Sequence, residues 1–195
     1  MFRRVLLSSE VAALFAMLLI IEDSRYPLLL FCAAAIHECG HITAARICGV
    51  GFRMRGAGFG GISIEFDCMN LSYQKEIFIA LGGAILNLIA ATICTILNKV
   101  HFHSPLVSFF VICNVTLALI NLTPVKFFDG CTILKCILLI LFDEPTATKI
   151  HSVVTILTSI LLWLTAVYVQ LVLGGNLSLL LISIYIMFKS LSPLR

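Results

Sequence analysis

The sequence is poor in charged residues. Only 12% of its 195 residues are Asp, Glu, Lys or Arg, and 61% are hydrophobic, whereas soluble domains carry roughly 25% charged residues. Mean hydropathy is +1.10. So few charged side chains cannot cover a water-facing surface, so we expect an integral membrane protein. The net charge of +3 comes without a basic cluster, which argues against a nucleic-acid partner.

Paired cysteine motifs are also lacking. The eight cysteines include no C-x-x-C pair, so neither a disulfide framework nor a zinc ribbon is indicated. The sequence has no G-x-S-G, the nucleophile motif of serine intramembrane proteases. No small-x-small cleavage site closes the first apolar run. We therefore expect that run to be an uncleaved membrane span.

Long apolar runs predict an all-α polytopic protein of about six transmembrane helices, because a backbone exposed to lipid must satisfy its own hydrogen bonds. The predicted spans are Val5–Ile21, Tyr26–Ile47, Ile77–Leu97, Leu106–Leu122, Ile150–Leu173 and Leu177–Leu191. The last is short for the roughly 20 residues that a span needs. Ser72 is a plausible cap of the third span.

The distribution of Lys and Arg predicts the orientation. With six spans, all of these residues except Arg25 and Lys99 fall on the side of the two termini. Cytoplasmic loops carry the excess of positive charge. Both termini, and the end of the second span near His41, are therefore expected in the cytoplasm.

The second span contains the sequence His37-Glu38-Cys39-Gly40-His41, an H-E-x-x-H motif. Histidines four residues apart lie nearly above one another on one helix face, so both imidazoles can reach one metal ion. Glu38 lies beside them and can transfer a proton. Ionisable residues are costly inside a membrane and usually functional, so an accidental polar cluster is the weaker interpretation.

The segment between spans two and three is rich in glycine. Residues 49–61 hold six of the chain's twelve glycines, which disfavours a helix and permits tight turns. Apolar and polar residues alternate over 50–55 and 62–67, the period of a strand. We predict a short re-entrant β-hairpin, with Arg53 and Arg55 facing Glu65 and Asp67. An ordinary cytoplasmic loop is the alternative.

Two histidines leave a catalytic zinc site incomplete, because three protein ligands plus a water molecule are expected. The predicted topology puts His101 and His103 on the opposite side of the membrane, and His151 at the cytoplasmic edge. Asp129 follows Pro124 at the cytoplasmic end of span four. A helix that ends or bends at this proline lets the acid turn inward. Asp129 is the expected third ligand, with a helix cap or an acid of a cytoplasmic loop as the alternatives.

These motifs together resemble the site-2 protease family of intramembrane zinc metalloproteases. H-E-x-x-H in one span is followed by N-x-x-P-x-x-x-x-D-G at 121–130, and residues 82–87 resemble the family's G-P-x-x-N stretch. The hairpin stands where the family has a re-entrant sheet. The resemblance covers roughly 27–135. Departures are Leu122, where the family has proline, and Gly82-Gly83 in place of the G-P pair.

The resemblance implies a ligand set and roles for five residues. One zinc ion per chain is expected on His37, His41 and Asp129. Glu38 would act as the general base, and Asn87 and Asn121 would hold the carbonyl oxygen of the scissile bond. An interhelical hydrogen bond remains the alternative role of Asn87, and capping of the broken helix that of Asn121.

With six spans the chain looks most like the branch of stage IV sporulation protein FB, although the nucleotide-sensing domain of that relative has no counterpart here. A single membrane-embedded metalloprotease domain over 1–195, with no separate soluble domain, is therefore expected. Its substrate would be a membrane-tethered protein such as a sporulation sigma-factor precursor, cleaved in or near a transmembrane segment.

The expected localisation is the bacterial cell membrane, and the lipid bilayer and regulatory membrane proteins are the other expected partners. Two other classes stay open: a catalytically inactive membrane scaffold and a small metal or proton transporter. The intact H-E-x-x-H and Asp129 argue against the scaffold.

Overall fold

The computed structural model describes residues 3–6, 26–57, 61–66, 71–99, 104–173, 183–184 and 187. The elements of these residues, in chain order, are β1 (Arg3–Leu6), α1 (Tyr26–Ile47), β2 (Phe52–Ala57), β3 (Gly61–Phe66), α2 (Tyr73–Leu97), α3 (Pro105–Asn121), α4 (Asp129–Leu141) and α5 (Glu144–Leu173). The chain divides into two compact units, 1–119 and 120–195.

Three of the described helices are long and apolar enough to cross a membrane: Tyr26–Ile47, Tyr73–Leu97 and Glu144–Val172. They correspond to predicted spans two, three and five. Predicted span four corresponds to α3, a shorter apolar helix of 17 residues. The expected number of six spans is not confirmed, because residues 7–21 and most of 177–191 lie outside the described residues.

Two expectations about helix boundaries need correction. Val5 and Leu6, placed at the start of the first span, belong to strand β1. Helix α4 was not predicted at all, and begins without a side-chain cap, since the N-cap position is Phe128. By contrast, the predicted cap of α2 is confirmed: the Ser72 hydroxyl accepts a hydrogen bond from the Lys75 backbone N–H at 3.4 Å.

Helices α1 and α2 pack antiparallel along a face of small and polar residues. The Nδ1 atom of His41 lies 2.8 Å from the Ile79 carbonyl oxygen, and Asn87 donates from Nδ2 to the Ala33 carbonyl oxygen at 3.4 Å. The paired residues are eight apart on both helices, so the contact continues over two turns. Between them Gly40 and Gly82 touch backbone to backbone, as small residues allow at close membrane-helix crossings.

The three strands form one sheet in the order β1-β3-β2, and both pairings are antiparallel. Arg53 is opposite Glu65, as predicted, but Arg55 is opposite Ser63 and not Asp67. On its other side Glu65 pairs with Arg4 of β1. Residues 58–60, which would connect β2 to β3, lie outside the described residues, and the re-entrant position of the strands stays a prediction.

The second unit is organised around the break between α3 and α4. The side chain of Val125 in this break is only 1% exposed, and Phe127 has a positive φ of 83°. Helix α5 holds the break from one side, because the Thr158 hydroxyl lies 2.8 Å from the Pro124 carbonyl oxygen and can donate to it.

Candidate metal centre

The two histidines of H-E-x-x-H converge on one point. Both are buried, with His37 5% and His41 2% exposed, and their Nε2 atoms are 3.2 Å apart. Two nitrogen ligands bound at 2.0–2.1 Å to a tetrahedral zinc ion would be about 3.3 Å apart. The pair therefore has the separation that a shared zinc ion requires.

The surroundings of His41 determine which of its two ring nitrogens can bind a metal. Its Nδ1 atom is 2.8 Å from the backbone carbonyl oxygen of Ile79. A carbonyl oxygen only accepts, so Nδ1 must carry the hydrogen and, in the neutral ring, Nε2 keeps its lone pair. The bond also fixes the ring orientation, so α2 prepares the ligand that α1 carries.

Gly83 of α2 provides space beside the two imidazoles. A Cβ atom at this position would lie 2.6 Å from Cε1 and 2.7 Å from Nε2 of His37, and 2.7 Å from Nε2 of His41. These distances are too short for a real contact, so any residue with a side chain would displace the rings. The absence of a side chain at 83 thus keeps room at the metal-facing edge of both rings.

Glu38 lies between the two histidines in sequence and is partly buried. One residue turns an α-helix by about 100°, so Glu38 lies on the flank of the histidine face and not within it. This is the position that the sequence predicts for a carboxylate that exchanges protons near a metal without binding it.

Asn87 is buried completely, at 0% exposure. Its Nδ2 atom donates to the Ala33 carbonyl oxygen across the helix contact. The interhelical bond considered as an alternative is therefore present. This bond uses one of the two hydrogens on the Asn87 Nδ2 atom, and the second hydrogen is not needed for it.

Asp129 is the first residue of α4 in the second unit. Gly130 behind it packs so closely on the backbone of Leu122 and Thr123 that a Cβ atom there would overlap the Leu122 carbonyl. This contact fixes the start of α4, and a negative charge in the first turn is favourable to the helix dipole. Asn121, the other predicted residue of this motif, is the last residue of α3 and is partly exposed.

His151 supports the first turn of α4 from α5. It is buried at 5% exposure, and its Nε2 atom lies 3.1 Å from the Cys131 carbonyl oxygen and 3.2 Å from the Cys131 Sγ atom. The sequence predicts His151 at the membrane edge and gives it no contact. His101 and His103 lie outside the described residues.

Sequence reasoning missed two residues of the first unit. Gly83 was noted only as part of a family-like stretch, and its position against the imidazoles has no local signal. Asn114 is fully buried in α3 and was not singled out. Its position in the apolar run VSFFVICNVTLALI could have indicated Asn114, because polar groups inside membranes usually have a function.

Two comparisons with known proteins found a match. Residues 92–165 match the profile described as Peptidase family M50, a stretch that includes Asp129 but not the two histidines. The fold is similar to that of the Site-2 Protease from Methanocaldococcus jannaschii, with a TM-score of 0.60 and 22% identity over 92% of this chain and 83% of that chain. No curated protein matches the sequence. The sporulation branch is not confirmed.

Proposed function

We propose that the protein is an intramembrane zinc metalloprotease that hydrolyses a peptide bond in or near a transmembrane segment of a membrane-tethered protein. The observation that carries this proposal is the 3.2 Å separation of the His37 and His41 Nε2 atoms, together with the bond that orients His41. The M50 match and the site-2 protease fold support it.

Zinc fits the donor set. We propose Asp129 as the third ligand, which leaves the fourth position open as in catalytic zinc sites. Two imidazoles and a carboxylate are ligands that zinc accepts readily.

Bound zinc would polarise the scissile carbonyl and lower the pKa of a water molecule toward about 7. In our proposal Glu38 accepts the proton of the attacking water and returns it to the leaving amine. Asn121 would donate to the carbonyl oxygen as negative charge develops. The amide hydrogen of Asn87 that Ala33 does not use would be available to the substrate chain.

The sheet suggests how a substrate is held. A transmembrane helix hides its amides in its own hydrogen bonds and must unwind before water can attack. Strand β3 lies in the centre of the described sheet, so β1 and β2 are its edges. We propose that the unwound substrate pairs with an edge as an additional strand, and that the sheet is re-entrant in the bilayer.

The proposed substrate class is a membrane-tethered transcription-factor precursor, with a sporulation sigma-factor precursor as the specific case implied by the resemblance. The proposed setting is the bacterial cell membrane, with the active site toward the cytoplasmic side and regulatory membrane proteins as further partners.

Metal analysis and cleavage assays on purified protein test the proposal. Wild type should contain one zinc ion per chain, and Asp129→Ala should lose most of it. Glu38→Gln should keep the zinc, while cleavage falls by about 10²- to 10⁴-fold because the proton acceptor is gone. Full zinc in Asp129→Ala would refute the third ligand. Substrate binding without cleavage by wild type would favour a scaffold, and ion flux that survives Glu38→Gln would favour a transporter.

A further inference from the structure

Two fully buried carboxamides of the first unit have acceptor oxygens without a partner. Asn87 and Asn114 are both 0% exposed, and neither Oδ1 atom has a hydrogen-bond partner among the described residues. An acceptor left unpaired in an apolar interior is costly. Such an atom in a membrane protein indicates either a polar ligand or a bound water molecule.

Helix packing explains Asn87 but not Asn114. The Nδ2 atom of Asn87 bonds to the Ala33 carbonyl oxygen on another helix. The Nδ2 atom of Asn114 instead bonds to the Phe110 carbonyl oxygen of its own helix at 2.9 Å. That bond joins no two elements, and leucine at 114 would fill the same place without an unpaired oxygen.

The two amides lie at similar levels along the helices. The rings of Tyr26 and Phe109 contact edge to face, with centroids 4.7 Å apart, so α1 and α3 begin at the same end. The short connection from α2, in which Asn98 Oδ1 accepts from the Ser104 backbone N–H at 2.8 Å, makes α3 run antiparallel to α2 and therefore parallel to α1.

The helical rise converts these contacts into distances along the axis. At about 1.5 Å per residue, Asn114 lies about 7.5 Å beyond the level of Phe109, and His37 about 16.5 Å beyond the level of Tyr26. Measured along the helix axis from the end where α1 and α3 begin, Asn114 therefore lies about 9 Å before the level of His37. Asn87 lies beside Ala33, which is four residues and thus about 6 Å before His37.

We propose that the Oδ1 atoms of Asn114 and Asn87 accept backbone N–H groups of the substrate two to three residues from the scissile bond, on one side of it. The inference rests on the proposed protease function. An extended chain advances about 3.3 Å per residue, so 6 to 9 Å corresponds to two to three residues. A segment unwound from a helix has just lost partners for these N–H groups, and in a membrane only protein atoms replace them.

A substrate in which single N–H groups are replaced by ester oxygens tests this directly. A synthetic transmembrane substrate is scanned at five positions on each side of its cleavage site. Affinity is measured with the Glu38→Gln protein in nanodiscs, which leaves the peptide intact, and kcat/KM is measured with wild type. We expect one or two esters, two to three residues from the scissile bond, to weaken binding about five- to tenfold, as loss of a hydrogen bond does.

Asn114→Leu, combined with Glu38→Gln for binding, should remove the sensitivity to one of these esters, because the acceptor is gone. Thr92→Val is the matched control, since the Thr92 hydroxyl on the exposed face of α2 bonds only to its own helix. It should keep the full ester sensitivity.

Unchanged ester sensitivity in folded, zinc-loaded Asn114→Leu would overturn the role of Asn114. The ester scan with wild type tests the proposal even if the variant fails to fold. If no ester two to three residues from the scissile bond has an effect on wild type, the proposal is overturned. Cleavage with no ester effect refutes only this inference, whereas binding without any cleavage refutes the protease function.

Discussion

Gly83 faces the imidazoles of His37 and His41 from helix α2. Metal sites are commonly explained by their ligands, but the space between ligands also has to be kept open. Here a single missing methyl group does so, because a Cβ atom would lie 2.6–2.7 Å from ring atoms of both histidines. The His41 ring cannot easily turn away, since its Nδ1 atom is bonded to Ile79.

Gly83→Ala should therefore weaken zinc binding by about 10- to 100-fold, the loss typical when groups that orient a metal ligand are disturbed. Chelator competition measures this without a cleavage assay. Gly51→Ala is the control, because a Cβ atom at Gly51 would have no atom within 4 Å, and it should bind zinc as wild type does. Equal zinc affinity in the two variants would contradict the role given to Gly83.

Residues whose role follows from their spacing along the chain could be predicted from the sequence. The i, i+4 spacing of His37 and His41 determines that they share a helix face, and the structure confirms their convergence. The contact of Gly83 with these rings depends on the register between two helices, which no local pattern contains. Asp129 as a zinc ligand remains a prediction, because it depends on how a distant part of the chain is placed.

At the scale of elements, the contact between α1 and α2 holds the site together. Gly40 and Gly82 let the two backbones touch. The bonds of His41 to Ile79 and of Asn87 to Ala33 lie on the two sides of this region. Two antiparallel helices tied in this way hold both imidazoles and Gly83 in one rigid frame.

Gly40→Ala should separate these helices, because its Cβ atom would overlap the Gly82 carbonyl. Overpacking of this kind costs about 1–3 kcal/mol. For a chain of this size that lowers Tm by about 3–10 °C, measurable in detergent. Ala35→Val adds more carbon to the exposed face of the same helix and should shift Tm by no more than about 1–2 °C. A Gly40→Ala protein as stable as Ala35→Val would contradict this packing.

Elements with strong local signals were predicted, and those without were not. Helix α1 was predicted with the bounds Tyr26–Ile47 that the structure shows. Helix α4 was missed because Phe128 occupies its N-cap and its 13 residues are too few for a span. Val5 and Leu6 of strand β1 were taken as the start of a helix because apolar residues fit both structures, and only pairing with the distant β3 decides between them.

At the scale of the whole molecule, composition alone predicted a membrane protein, and three described helices are long and apolar enough to span a bilayer. The orientation is set by charges outside the spans and stays a prediction.

Epitope tags at both termini should be protected from protease in intact cells, and a tag inserted after Lys99 should be digested, because Lys and Arg gather on the terminal side. Digestion of either terminal tag in intact cells would contradict this topology.

The close approach of Gly40 to Gly82 also limits how a polypeptide can enter. Two helices whose backbones touch cannot separate without breaking the hydrogen bonds on either side of the contact. A substrate therefore cannot enter between α1 and α2. Any route by which a substrate reaches the imidazoles must open along another flank of α1. Crosslinking α1 to α2 should therefore leave admission of the substrate intact.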